Sequence, residues 1–147
     1  MKETVNCHRD LKVWRKSMDL VVACYRLTKL FPDQEKYGLV SQLQRAAVSV
    51  PSNIAEGHGR KYTNDYLRFL SIANGSLMEV ETQIQIAQRL NFINSEECTT
   101  ILNQTSQISR MLSGLKAALK RNIVKEIDAK YDVDLASLSP QSSLLNP

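Results

Sequence analysis

The sequence predicts an all-α fold, an antiparallel up-down-up-down four-helix bundle, and three observations carry that prediction. Apolar residues recur at three- and four-residue steps through four segments of about 20 to 28 residues. Leu, Ile, Ala, Gln and Lys are abundant, while five glycines, four prolines and 6% aromatics in 147 residues leave little material for long strands. The segments are joined by short connections, as consecutive antiparallel helices require. At 1.5 Å per residue each helix is roughly 30–40 Å long.

The first helix is expected from Asp10 to Leu30, with Asp10 as N-cap and Phe31-Pro32-Asp33 as the stop. It carries two apolar stripes. Leu11, Trp14, Met18, Val21 and Tyr25 form one; Val13, Leu20, Cys24, Leu27 and Phe31 form the other. One stripe packs a helix into a bundle; two predict burial on two sides, the second against another subunit.

The second helix is expected from Glu35 to Gly57, with Val40, Leu43, Ala47, Val50 and Ile54 facing the core. The third runs from Thr63, read as its N-cap, to Leu90, with Leu70, Ala73, Leu77, Val80, Ile84 and Ala87 on one face. Gly75 in its middle costs about 1 kcal/mol of helix propensity against alanine and predicts close approach of a neighbouring helix. Asn91 to Asn94 form a turn. Ser95 caps the fourth helix, where Ile101, Ile108, Leu112, Leu115 and Leu119 repeat.

The chain therefore divides into an N-terminal extension over 1–9, the bundle over 10–122 and a C-terminal tail over 123–147. The core periodicity is lost at Ile123, and residues 137–147, rich in Ser, Pro, Asn and Gln, are expected to be disordered.

Composition narrows the function. The formal charge of +4 and the pI of about 9.0 admit an anionic partner without demanding one. Cys7, Cys24 and Cys98 are far apart, odd in number and without a Cys-x-x-Cys, which reads as free thiols in a reducing compartment. The longest apolar run, Leu20 to Tyr25, is too short for a membrane span, and no signal pattern opens the chain. These features together point to a cytoplasmic protein with no membrane partner.

The stretch SVPSNIAEGHGR, residues 49–60, is the most unusual. On a helix of 100° per residue, Arg45, Ser49, Asn53, Glu56 and Arg60 fall within roughly 80°, nearly opposite the core stripe. Pro51 removes a backbone donor and presses on the carbonyl of Ala47. Gly57 and Gly59 predict a left-handed exit from the helix. The polar stripe predicts a packed polar contact, with Arg45, Asn53, Glu56 and Arg60 fixing the register of a subunit interface.

The segment FPDQEKYGLVSQLQRAAVSVPSNIAEGHGR, followed by YLRFLSIANGSLMEVETQIQIAQRL, resembles the four-helix bundle proteins encoded within intervening sequences of bacterial large-subunit ribosomal RNA genes. The pattern is traced through Gln42, Arg45, Ala46, Ser49, Pro51, Asn53, Ile54, Ala55, Glu56, Gly57, Gly59 and Arg60, and on through Phe69, Leu70, Ala73, Gly75, Ser76, Glu79 and Glu81. DLKVWRKSMDL fits its opening, and the likeness covers about residues 9–120. The resemblance implies a left-handed bundle assembled as a homopentamer, kinship with the accessory variability proteins of diversity-generating retroelements, and no established enzymatic activity. It also implies that His58, where an aromatic residue is common, is dispensable.

Candidate chemistries follow. His8 adjoins Cys7, but no second pair stands at ligand spacing, so no metal is expected, and no cofactor. GHGR lacks the Lys-Ser/Thr of a phosphate loop and follows a helix. A hydrolytic, nuclease-like site near Glu56, His58 and Arg60 at a subunit boundary is the alternative reading, weakened because Glu56 and His58 occupy different helix faces. Lys12, Arg15 and Lys16 open the first helix; Lys116, Lys120, Arg121 and Lys125 load the fourth. In an up-down bundle these ends adjoin, and cyclic repetition would make a basic ring. The sequence thus predicts a non-enzymatic homo-oligomeric scaffold or accessory that binds RNA, DNA or a nucleic-acid-processing protein.

Overall fold

A computed structural model describes residues 5–138 of the chain. Four helices run α1 (Lys12–Thr28), α2 (Leu39–His58), α3 (Thr63–Arg89) and α4 (Ser95–Ser137), with short 3₁₀ turns at His8–Asp10 and Asp33–Glu35. No strand occurs among the described residues. Each helix packs on two neighbours, α1 on α2 and α4, α3 on α2 and α4, with no diagonal packing among the described residues.

Tertiary hydrogen bonds fix the directions. Glu81 of α3 meets Thr105 of α4, and Asn74 meets Ser109, so positions fall along α3 as they rise along α4. Ser49 meets Ser76, while Gly57 abuts Tyr66 and Phe69, which makes α2 and α3 antiparallel. Thr28 meets Gln44 at one end of the α1–α2 pair, and His8 and Trp14 share a cleft with Pro51 and Ala55 at the other.

The core follows the predicted stripes. Leu43, Ala47, Val50 and Ile54 are fully buried, as are Leu70, Ala73, Leu77, Val80, Ile84 and Ala87. In α1 the two stripes separate. Val13, Leu20, Cys24 and Phe31 enter the core, while Met18 and Tyr25 of the other stripe stay exposed.

Several helix ends differ from expectation because the capping partners lie elsewhere. Asp10 does not cap α1; Leu11 holds that position. The Asp10 carboxylate instead accepts from the amides of Asn6 and Cys7, each at 3.0 Å, and these bonds hold its pKa below the usual value. Thr63 is the first residue of α3, with Tyr62 as N-cap. The cap of α4 is Asn94, one residue before Ser95: its Oδ1 accepts from the Glu97 amide at 2.8 Å, and Glu97 accepts from the Asn94 amide at 2.8 Å. Glu35 precedes α2 and accepts from the Leu39 amide at 3.0 Å.

The largest departure is α4. The tail expected from Ile123 is helical to Ser137, while residues from 139 onward lie outside the described part. Continuing the α3–α4 register sets the first turn of α3 level with Lys120 and Arg121. Beyond that level α4 has no neighbour among the described residues, and every described residue but Ile123 is exposed. The overhang spans about 27 Å at 1.5 Å per residue.

Candidate functional site

The family-like stretch 49–60 lies in the second half of α2, against α3. Part of the predicted polar stripe, Ser49 and Asn53, is half-buried at that seam. Asn53 Nδ2 donates to Ser49 O at 2.8 Å and to Ser49 Oγ at 2.9 Å, and Ser76 Oγ donates to Ser49 Oγ at 2.8 Å. The rest stays outside: Glu56 and Arg60 are exposed and pair with each other one turn apart. Arg45, also exposed, borders a polar groove with Gln42, Ser49, Ser76, Glu79 and Gln83. The stripe is therefore split between an internal serine–asparagine contact and an external charged edge.

Pro51 does not break the helix; α2 is continuous through it, and its ring is buried. The lost donor leaves the carbonyl of Ala47 without its i+4 partner. Ser52 Oγ serves Val48 O, and Asn53 serves Ser49 O, so the side chains bind the two following carbonyls. The left-handed exit is overturned. Gly59 ends α2 at φ −79°, and no described glycine has positive φ. What requires glycine is proximity: a Cβ on Gly57 would lie 2.8 Å from Phe69 Cβ and 2.9 Å from Tyr66 Cδ2. Gly75, expected to admit a neighbour, meets nothing within 4 Å, because it faces outward from α3 and not along the seam.

The aromatic side chains beside Gly57 organise the end of the bundle. Phe69 is buried, and two guanidinium groups approach its ring, Arg60 at 4.7 Å and Arg68 at 4.8 Å from the ring centre. His58 meets the Tyr66 ring edge-on at 5.9 Å. Burial pushes the Tyr66 phenol up to about 12, and its oxygen is buried without a hydrogen-bond partner. The hydrolytic constellation gains no geometry: Glu56 is engaged by Arg60, while His58 packs on Tyr66. Among the described residues no three His, Cys, Asp or Glu side chains gather as metal ligands.

The basic residues converge along the axis. The helix directions put the start of α1, the end of α2, the start of α3 and the Lys116–Arg121 part of α4 at one end. Lys12, Arg15, Lys16, Lys116, Lys120 and Arg121 are brought to that end; Lys125 lies on the overhang one turn beyond. Arg60, Lys61 and Arg68 join them. Lys61 and Arg68 escaped the sequence reading, although the run from Arg60 to Arg68 at the α2–α3 junction was the signal. The opposite end holds Asp33, Glu35, Glu96 and Glu97 together with Arg26, Lys29, Lys36 and Arg89, so its charges balance and the excess of positive charge lies at the first end. No described helix is long and apolar enough to cross a membrane.

Residues 9–114 match the family described as 23S rRNA-intervening sequence protein. The chain belongs to the 23S rRNA-intervening sequence protein family. Among solved structures, it is similar to a protein of unknown function from the S23 ribosomal protein family of Bacteroides thetaiotaomicron VPI-5482. That likeness has a TM-score of 0.66 and 25% identity over 71% of this chain and 97% of the other. No curated protein matches the chain. The family match holds the whole α2–α3 seam and ends at Gly114, so the α4 overhang lies outside the residues matched to the 23S rRNA-intervening sequence protein family.

Proposed function

We propose that this protein is a non-enzymatic, homo-oligomeric scaffold, a pentamer, that binds RNA or a ribonucleoprotein partner through its basic end. The supporting observation is the convergence of three separate basic segments at one end of the bundle. Phosphate recognition asks for density of Lys and Arg more than for an enclosed pocket. The exposed stripe of α1, with Met18 and Tyr25 on one side of a helix whose other side is core, supports self-assembly. Cyclic repetition would multiply the basic end into a ring.

Light scattering on a sizing column, with the 260/280 absorbance ratio read at low and high salt, tests both parts. The expected result is a mass near five subunits carrying nucleic acid that high salt removes. A monomer free of nucleic acid at low salt would overturn the reading.

A further inference from the structure

The overhang of α4 is a helix with an apolar face and nothing of its own bundle to bury it. Val124, Ile127, Tyr131, Leu135 and Leu138 are all exposed, Tyr131 by 66%. At 100° per residue they fall within about 80° of one another. Asp128 borders this stripe on one side and Asp134 on the other; Asp132, Lys125 and Lys130 stand further round the helix, and the overhang's acids Glu126, Asp128, Asp132 and Asp134 outnumber its two lysines.

A second unpartnered apolar surface lies on the bundle. Between α1 and α2 runs an open groove of about 610 Å³ bordered by Val21, Val22, Tyr25, Val40 and Val48. Val22 and Tyr25 are 47% and 44% exposed. Arg26 and Lys29 stand on its rim, and Lys36 lies on the rim of the adjoining cleft. Their sign opposes that of the acids flanking the overhang stripe.

We infer that the α4 overhang of one copy docks in the α1–α2 groove of a second copy. Both surfaces are apolar strips edged by charge, and the two edges are complementary. The contact is intermolecular because α4 is continuous and carries the overhang away from its own bundle; no proline or glycine between Gly114 and Ser137 lets the helix turn back. Pairing of overhangs with each other is disfavoured, since Asp134 falls where a two-stranded coil wants an apolar residue three after Tyr131. This inference rests on the self-assembly part of the proposed function and adds to it an interface between the overhang, outside the family-matched residues, and a groove within them.

The experiment uses the full chain with a benzoylphenylalanine photocrosslinker in place of Tyr131. Illumination should give a covalent dimer whose crosslinked peptide maps to residues 21–48. Val48→Glu should cut its yield by roughly tenfold. Arg26→Glu should weaken it as well, and Arg26→Glu combined with Asp128→Arg should restore it. Crosslinking between two overhangs, crosslinking within one chain, or no crosslink in an oligomeric protein would each overturn this docking while leaving self-assembly intact. A monomeric mass for the unmodified chain would overturn both.

Discussion

Gly57 and Phe69 touch across the α2–α3 seam at a spacing that admits no side chain: a Cβ on Gly57 would stand 2.8 Å from Phe69 Cβ and 3.3 Å from the Tyr66 carbonyl oxygen. The obstacles include backbone and Cβ atoms of α3, which rotamer changes cannot move. Gly57→Ala gains up to about 1 kcal/mol of helix propensity but must push the helices apart, which costs about 1–3 kcal/mol. The clash wins, and the urea midpoint should fall. Gly75→Ala meets open space and should raise the midpoint by the propensity gain alone. Equal effects from the two substitutions would show that the seam is looser than described.

The Tyr66 phenol oxygen is buried and unpartnered, so Tyr66→Phe removes a polar group that gains nothing. Its loss should be neutral or stabilising by about 1 kcal/mol in chemical denaturation, and a loss of stability would reveal a missing partner.

Stability should decline in alkali. Burial raises Tyr66 from 10.0 to about 12 and Cys24 from 9.0 to about 12. A raised folded pKa means that the native state keeps a proton the unfolded chain releases. The associated stability is fully present below pH 9 and is lost as pH rises through the window to about 12. Thermal melts from pH 8 to 11 should show the decline, with a smaller slope in Tyr66→Phe.

The three thiols should react unequally. Cys7 is half-exposed, whereas Cys24 and Cys98 are buried and burial raises both of their pKa values. At pH 8 a thiol-titrating reagent should modify Cys7 quickly and the other two only when the protein unfolds.

At the basic end, Lys120→Glu with Arg121→Glu should weaken RNA binding and lower the slope of log affinity against log salt by about 1–2. Both residues are exposed, so the melting temperature should stay within a degree or two while the filter-binding slope changes. An unaltered slope would move the contact elsewhere.

The capping pair is a smaller test. Asn94→Ala removes the acceptor for the Glu97 amide and should cost about 1 kcal/mol, read from the denaturation midpoint.

The apolar stripes of α2 and α3 were legible in the sequence because helical periodicity is local: Leu43, Ala47, Val50 and Ile54 face inward whatever packs on them. The two stripes of α1 were legible for the same reason. The convergence of Lys12, Arg15 and Lys16 with Lys116, Lys120 and Arg121 was legible because short connections leave consecutive helices antiparallel. Other features depend on a neighbour that spacing does not name. Gly57 read as a flexible exit, and only the position of Phe69 shows it as a contact. Ser49 and Asn53 read as outward-facing, and only Ser76 draws them into the seam. Asp10 sat one residue too early to cap α1, which its bonds to Asn6 and Cys7 made plain. The overhang carried a signal in Val124, Ile127, Tyr131 and Leu135, obscured by the interspersed acids. By itself the sequence determined which face of each helix is apolar, since that is set by residues three and four apart. Tertiary structure decided which polar groups are paired, which glycine is obligatory and where α4 outruns its bundle, since each depends on atoms brought close from distant parts of the chain.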